Sequence, residues 1–222
     1  MKNKIKICAV VQGATLPAFQ KNLQAAAKAS QLVELRTDFI KGLKPGDVKK
    51  LKPAGKTSSI FTCRSIREEG KFSGSRAEQD AILDAAFGSG FNYVDVAADN
   101  PYHAGIDKKQ QKKLLLSYHD FKGTPSSIEL MGRIERMQEF SPAIIKIATM
   151  VKKTKDIFTL TEVLKQKKDD QKLIIIGMGE AGKITRILFP LLGSYLTYAS
   201  LGSETAPGML TASQLRTVYS NI

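Results

Sequence analysis

The sequence predicts a single (β/α)8 barrel over residues 1–222, and three observations carry that expectation. Short β-branched runs alternate with helix-like stretches along the whole chain, the pattern of parallel strands joined by crossover helices. Eight such runs fit into 222 residues, near the short end of the usual barrel size. Their polar residues gather toward the C-terminal ends of the runs, where barrels carry their chemistry. A doubly wound open sheet uses the same alternation and is the competing architecture. No linker or low-complexity segment divides the chain, so one catalytic domain is expected.

The strand runs are 4–11 (KIKICAVV), 32–37 (LVELRT), 58–63 (SSIFTC), 91–96 (FNYVDV), 113–118 (KLLLSY), 143–148 (AIIKIA), 172–177 (KLIIIG) and 195–199 (YLTYA). The first is read as a strand rather than a signal segment. Its uninterrupted apolar part covers only Ile7 to Val11, and no small-residue cleavage site follows. Helical patterns occupy 16–30, 45–52, 75–89, 125–140, 154–168, 180–192 and 211–220. The second begins at Pro45, a residue suited to a first helical turn. The third ends in helix-stopping glycines. Only the gap 97–112 is weakly patterned.

Composition narrows the class. At 42% hydrophobic and 25% charged the chain is ordinary globular protein, and no apolar run approaches the length of a membrane span. Cys8 and Cys63 fall in strand runs with no metal-ligand spacing, so free thiols in a reducing cytoplasm are expected. The net charge of +13 fits either nucleic acid or small anions as partners. The lysine clusters are scattered, without aromatic interleaving and without tryptophan. They read as solvated faces, so a small anionic substrate is favoured over nucleic acid. A homodimer is left open.

Side chains two apart on a strand share a face. Leu32, Glu34 and Arg36 therefore oppose Val33 and Leu35; Ile60, Thr62 and Arg64 oppose Phe61 and Cys63. Leu115, Ser117 and His119 oppose Leu116 and Tyr118, and Ile174, Ile176 and Met178 oppose Leu173 and Ile175. In the sixth run Ile144, Lys146 and Ala148 oppose Ala143, Ile145 and Ile147. One face of each run is apolar, and the other turns polar toward its end. In a barrel the second face points inward, so Glu34, Arg36, Arg64, His119 and Lys146 converge on one space.

Taken singly, each of these residues has a plain structural explanation. Glu34 and Arg36 form a strand-end ion pair, His119 is a satisfied core histidine, and Lys146 snorkels from an edge strand. A closed barrel removes the edge. A buried lysine beside arginines loses part of its basicity, and its neutral amine attacks a carbonyl carbon to give a Schiff base. His119, one of two histidines with His103, suits proton transfer near neutral pH. Amine plus imidazole points to elimination or aldol chemistry on a ketone. The motif GMGEAG at 177–182 matches a dinucleotide fingerprint, but the acid required at the end of the next strand is replaced by Tyr198-Ala199-Ser200. A helix N-terminus there can still hold an anion, and Arg186 one turn later strengthens that.

With those residues in place, the chain resembles type I 3-dehydroquinate dehydratase over essentially its full length. The resemblance rests on ELRTD (34–38), FTCR followed four residues later by Glu68, YVDV (93–96), SYHDF (117–121), KIAT (146–149), GMGEAGKITRI (177–187) and TAPG (205–208). It implies a lyase of the shikimate pathway, in chorismate and aromatic amino acid biosynthesis, with no metal or diffusible cofactor. Lys146 would form the imine, His119 would move the protons, and Glu68 would orient His119. Glu34, Arg36 and Arg64 would bind ring hydroxyls, Arg186 the carboxylate, and Met178 would pack over the ring. Two positions depart from the family pattern. Met209 stands where a glutamine usually follows the APG turn, with Thr205 or Ser203 left to replace its contact, and Ala97 stands where the fourth strand commonly carries glutamate. A class I aldolase shares the imine lysine and is the rival enzyme reading; a basic nucleic-acid-binding module is the rival from another class.

Overall fold

A computed structural model describes residues 5–202 and 208–222. Eight parallel strands run β1 Ile7–Val11, β2 Leu32–Arg36, β3 Ser58–Thr62, β4 Tyr93–Ala97, β5 Leu114–Asp120, β6 Ile144–Met150, β7 Leu173–Met178 and β8 Thr197–Ala199. They are hydrogen-bonded in the order 7-6-5-4-3-2-1-8. The turn from β1 to β8 brings the sheet round on itself, which an open doubly wound sheet does not do. At the seam the backbone N–H of Tyr195 donates to the carbonyl of Leu173 at 2.8 Å. The result is a nearly closed (β/α)8 barrel, as expected. β6 pairs with β5 on one side and β7 on the other, so Lys146 is not on an edge.

The pleat separates two apolar layers as the alternation predicts. Val33, Leu35, Phe61, Cys63, Leu116, Ile145, Ile147, Leu173 and Ile175 pack outward against the helices. Cys8, Val10, Ile60, Leu115, Ile144, Ile174 and Ile176 fill the barrel. Removing such side chains from water is the main favourable term in folding. It also leaves a dry floor beneath the polar ends of the strands. Both cysteines are free and buried.

Several of the helices begin where short polar side chains take up orphan backbone donors. Thr15 caps α1 (Leu16–Ala29), which turns Phe19, Leu23 and Ala26 onto the sheet. Ser75 and Glu78 cap α2 (Arg76–Gly88) reciprocally. Ser126 and Glu129 do the same for α4 (Ser127–Gln138), and Thr211 with Gln214 for α7 (Ala212–Ser220). α5 covers Thr154–Lys165.

Two of the connections differ from expectation. Residues Pro45–Leu51 form a 3-10 helix rather than an α-helix, burying Val48 and Leu51; seven residues suffice to cover that flank. The weakly patterned gap holds a 3-10 turn, Pro101–Gly105, and the four-residue α3, Lys108–Gln111. The helix expected over 180–192 begins only at Thr185, as α6 (Thr185–Leu191). Before it, tight turns join Gly179 to Gly182, Glu180 to Lys183 and Gly182 to Thr185.

Those turns need small residues. Gly179 has φ +83°, and a Cβ on Gly182 would stand 2.5–2.6 Å from the backbone of Gly177 and Met178. Gly182→Ala is therefore expected to destabilise by about 1–3 kcal/mol, the cost of forced overpacking. At about 2–4 °C of Tm per kcal/mol for this size, thermal unfolding of the purified variant checks it.

Candidate active site

β2, β3, β5, β6 and β7 each deliver an inward side chain to one cavity of about 240 Å3 at the C-terminal mouth of the barrel. Glu34, Arg36, Arg64, His119, Lys146, Met178, Arg186 and Met209 all line it. The strand registers explain the convergence: Glu34 pairs with Ile60, Ser117 with Lys146, and Lys146 with Ile174. Thr205 and Ser203 lie outside the described residues. Sequence reasoning passed over Phe39, Glu69, Lys71, Phe121 and Tyr198, which also line the cavity.

Lys146 is 7% exposed. Its Nζ lies 3.8 Å from Glu34 Oε1 and 3.8 Å from Asp95 Oδ2. The ring of Tyr198 lies beneath it, with the centroid 4.4 Å away. Burial lowers the lysine pKa, the two carboxylates oppose that, and Arg64 and Arg36 add to it. The net direction is downward, because salt bridges of 3.8 Å without hydrogen bonds do not repay the loss of water around an ammonium.

His119 is controlled the same way. Burial pushes its pKa well below the ordinary histidine value, and the charges of Arg64, Lys146 and Arg36 push further. Its ring stacks on Phe121 at 6.1 Å. A neutral imidazole results, able to accept a proton. Among the described residues, His119 Nδ1 has no hydrogen-bond partner.

The arginines are braced rather than loose. Arg36 grips Asp38 through Nε–Oδ1 at 2.9 Å and Nη2–Oδ2 at 2.8 Å. Burial works against its charge, and that bidentate pair more than offsets it. The strand-end ion pair that would have been the plain explanation of Glu34 and Arg36 is not what holds Arg36. Glu34 instead accepts from Thr62 Oγ1 at 3.1 Å and faces Lys146. Alternation put Glu34 and Arg36 on one face, but the fork geometry of a guanidinium is better met by Asp38, which the following 3-10 turn brings back.

Arg64 Nη2 donates to Asp95 Oδ1 and to Ser117 Oγ, each at 2.8 Å, and Ser117 donates to the same Asp95 oxygen at 2.6 Å. Asp95 is the main residue missed by sequence reasoning. The signal was available in YVDV, where Tyr93 and Asp95 share the inward face. Glu68 does not line this cavity. It borders an adjoining one of about 370 Å3, whose wall also includes Arg64, His119 and Phe121.

The fold and site together define a (β/α)8 barrel with a buried lysine of lowered basicity and a histidine held toward its neutral form at its C-terminal mouth. The model of the type I 3-dehydroquinase family matches residues 7–222, and the chain belongs to that family. A 3-dehydroquinate dehydratase of Coxiella burnetii is 39% identical over 221 residues, covering 99% of this chain and 94% of that protein. Among solved structures, the type I 3-dehydroquinate dehydratase of Clostridium difficile with covalently modified comenic acid has a TM-score of 0.90 at 26% identity. That match covers 99% of this chain and 93% of the other. The 3-dehydroquinate dehydratase of Geobacillus kaustophilus gives 0.88 at 27% identity, over 99% and 91%. Among the described residues, no helix is long and apolar enough to cross a membrane.

Proposed function

We propose that this chain dehydrates 3-dehydroquinate to 3-dehydroshikimate through an imine on Lys146. Membership of the family makes it a hydro-lyase of this kind. The observation that carries the mechanism is the buried amine of Lys146, with its lowered pKa, in one cavity with a neutral imidazole.

The steps balance as follows. The neutral amine adds to the C3 carbonyl, and loss of water leaves an iminium. That cation draws electrons from the neighbouring C2–H bond, whose proton His119 takes, giving an enamine. The enamine expels the C1 hydroxyl, which leaves as water with the proton carried by His119. Hydrolysis of the conjugated iminium frees the product and Lys146. Glu34 and Asp95 supply negative charge beside the nitrogen while it is cationic. Glu34, Arg36 and Arg64 bind the ring hydroxyls, Arg186 takes the carboxylate, and Met178 packs against the ring. Glu68 orients His119. This chemistry belongs to chorismate biosynthesis in the cytoplasm, where the two buried thiols stay reduced.

The direct test is incubation with 3-dehydroquinate while following the absorbance of the conjugated enone. No enone with this substrate would defeat the proposal and return the aldolase reading.

Met209 is buried in the cavity wall. A thioether accepts weakly and donates nothing, whereas an amide there can donate to the carboxylate held by Arg186. One hydrogen bond to a charged group is worth about 1.5–3 kcal/mol. Met209→Gln is thus expected to tighten binding by between a few-fold and about 100-fold. The gain should fall mainly in KM if the contact is equal in ground and transition states. Steady-state kinetics of both proteins at fixed ionic strength decide it. An unchanged or raised KM would show that Met209 does not contact the substrate.

A further inference from the structure

Both oxygens of the Glu68 carboxylate are already engaged. Oε2 accepts from the backbone N–H of Ser65 at 2.9 Å and from Gln79 Nε2 at 2.9 Å. Oε1 accepts from Asn100 Nδ2 at 2.8 Å. The Ser65 bond belongs to the local turn, but the two amides come from elsewhere: Gln79 from α2, and Asn100 from the segment after β4. Each is 1% exposed, an unusual depth for residue types that normally stay in water.

The amide orientations follow from charge. Turning either one over would set its oxygen against a carboxylate, an acceptor facing an acceptor. The remaining contacts agree. Gln79 Nε2 also donates to the carbonyl of Cys63 at 2.9 Å, and Asn100 Oδ1 accepts from the backbone N–H of Tyr102 at 3.0 Å.

An ionised carboxylate offers about four acceptor positions. Three donors fill both on Oε2 and one on Oε1, leaving one. His119 borders the same cavity as Glu68, and its Nδ1 is a buried ring nitrogen without a hydrogen-bond partner among the described residues. With its proton on Nδ1, which leaves Nε2 as the base, the imidazole offers the donor that the open acceptor position lacks. We infer that Gln79 and Asn100 are positioning residues of the reaction, holding Glu68 so that its one open acceptor position serves the Nδ1–H of His119. This rests on the proposal that Glu68 orients His119. No hydrogen bond joins Glu68 and His119 among the described residues, so completing the contact requires a side-chain movement within the cavity that both border.

The test uses Gln79→Met, which keeps length and removes the donor, and Asn100→Asp, which keeps the acceptor for Tyr102 and removes the donor. Each is made in the full chain and Gln79→Met also in a Glu68→Gln background. Losing one charge-assisted hydrogen bond to Glu68 is expected to lower kcat by about 10- to 100-fold, with KM little changed and borohydride trapping on Lys146 retained. Asn100→Asp sets a second acid against Glu68, and two carboxyl groups in contact do not both ionise. The acid limb of its kcat profile should therefore move to higher pH. In the Glu68→Gln background Gln79→Met should add no further loss.

If Glu68→Gln slows turnover while both amide variants keep the parental kcat and pH profile, the positioning role is overturned and the role of Glu68 stands. Parental turnover by Glu68→Gln would overturn both. A Gln79→Met loss that persists undiminished in the Glu68→Gln background, in step with a fall in Tm, would reduce Gln79 to a structural residue.

Discussion

Lys146→Ala is expected to end imine formation and lower turnover on the order of 10^4- to 10^6-fold, the scale on which removing a covalent nucleophile acts. In the parent protein, borohydride with substrate or product should fix a stable adduct on Lys146 and on no other lysine. The chain has many other lysines, most of them on the water-facing surface and outside the cavity. Burial makes the amine of Lys146 less basic than an ordinary lysine, and it lines the cavity that takes the substrate. Its titration, followed through the pH dependence of modification, should give a pKa below the ordinary lysine value of 10.5. Glu34→Gln removes a carboxylate that favours the ammonium, so that pKa should fall further. Peptide mass spectrometry settles the site: an adduct elsewhere, or none, would end the imine mechanism for this chain.

The inward faces were legible because a strand alternates with period two. Glu34, Arg36, Arg64, His119 and Lys146 could be placed together once the strands were counted and the barrel assumed closed. Periodicity does not say what a side chain grips. Arg36 turned to Asp38, two residues on, because the 3-10 turn after β2 brings a carboxylate back to meet its fork. The late start of α6 was hidden for a related reason. The stretch 180–184 contains good helix formers, but close approach of Gly182 to the backbone of β7 holds it in turns. Gln79 and Asn100 carried no signal at all. A glutamine on a helix and an asparagine in a loop are ordinary surface residues, and only the fold, which sets α2 and the segment after β4 beside the turn after β3, sends their amides to Glu68.

His119→Ala should separate the two halves of the chemistry. The imine needs only the amine of Lys146 and a carbonyl, so trapping should survive. Proton abstraction and protonation of the leaving hydroxyl need the imidazole, so turnover should fall by at least about 10^2- to 10^4-fold. The geometry favours this histidine over the other. His103 Nε2 lies 3.0 Å from the carbonyl of Ala98, and its ring sits edge-on to Phe140 at 4.3 Å, while His119 lines the cavity that holds Lys146. The stability of the variant offers a second reading. In the folded protein burial holds the His119 pKa well below 6.5, so near and below that pH the unfolded chain binds a proton that the folded chain does not. Such a group makes stability fall with falling pH, beginning around its unfolded pKa and continuing down to its folded one. His119→Ala lacks that contribution, so its loss of stability between neutral pH and pH 5 should be smaller than that of the parent protein. Denaturant titrations of both proteins at the two pH values measure the difference. An equal loss in both would show that the imidazole takes up its proton as readily in the fold as out of it, and a base so easily protonated would not be the neutral one this mechanism requires.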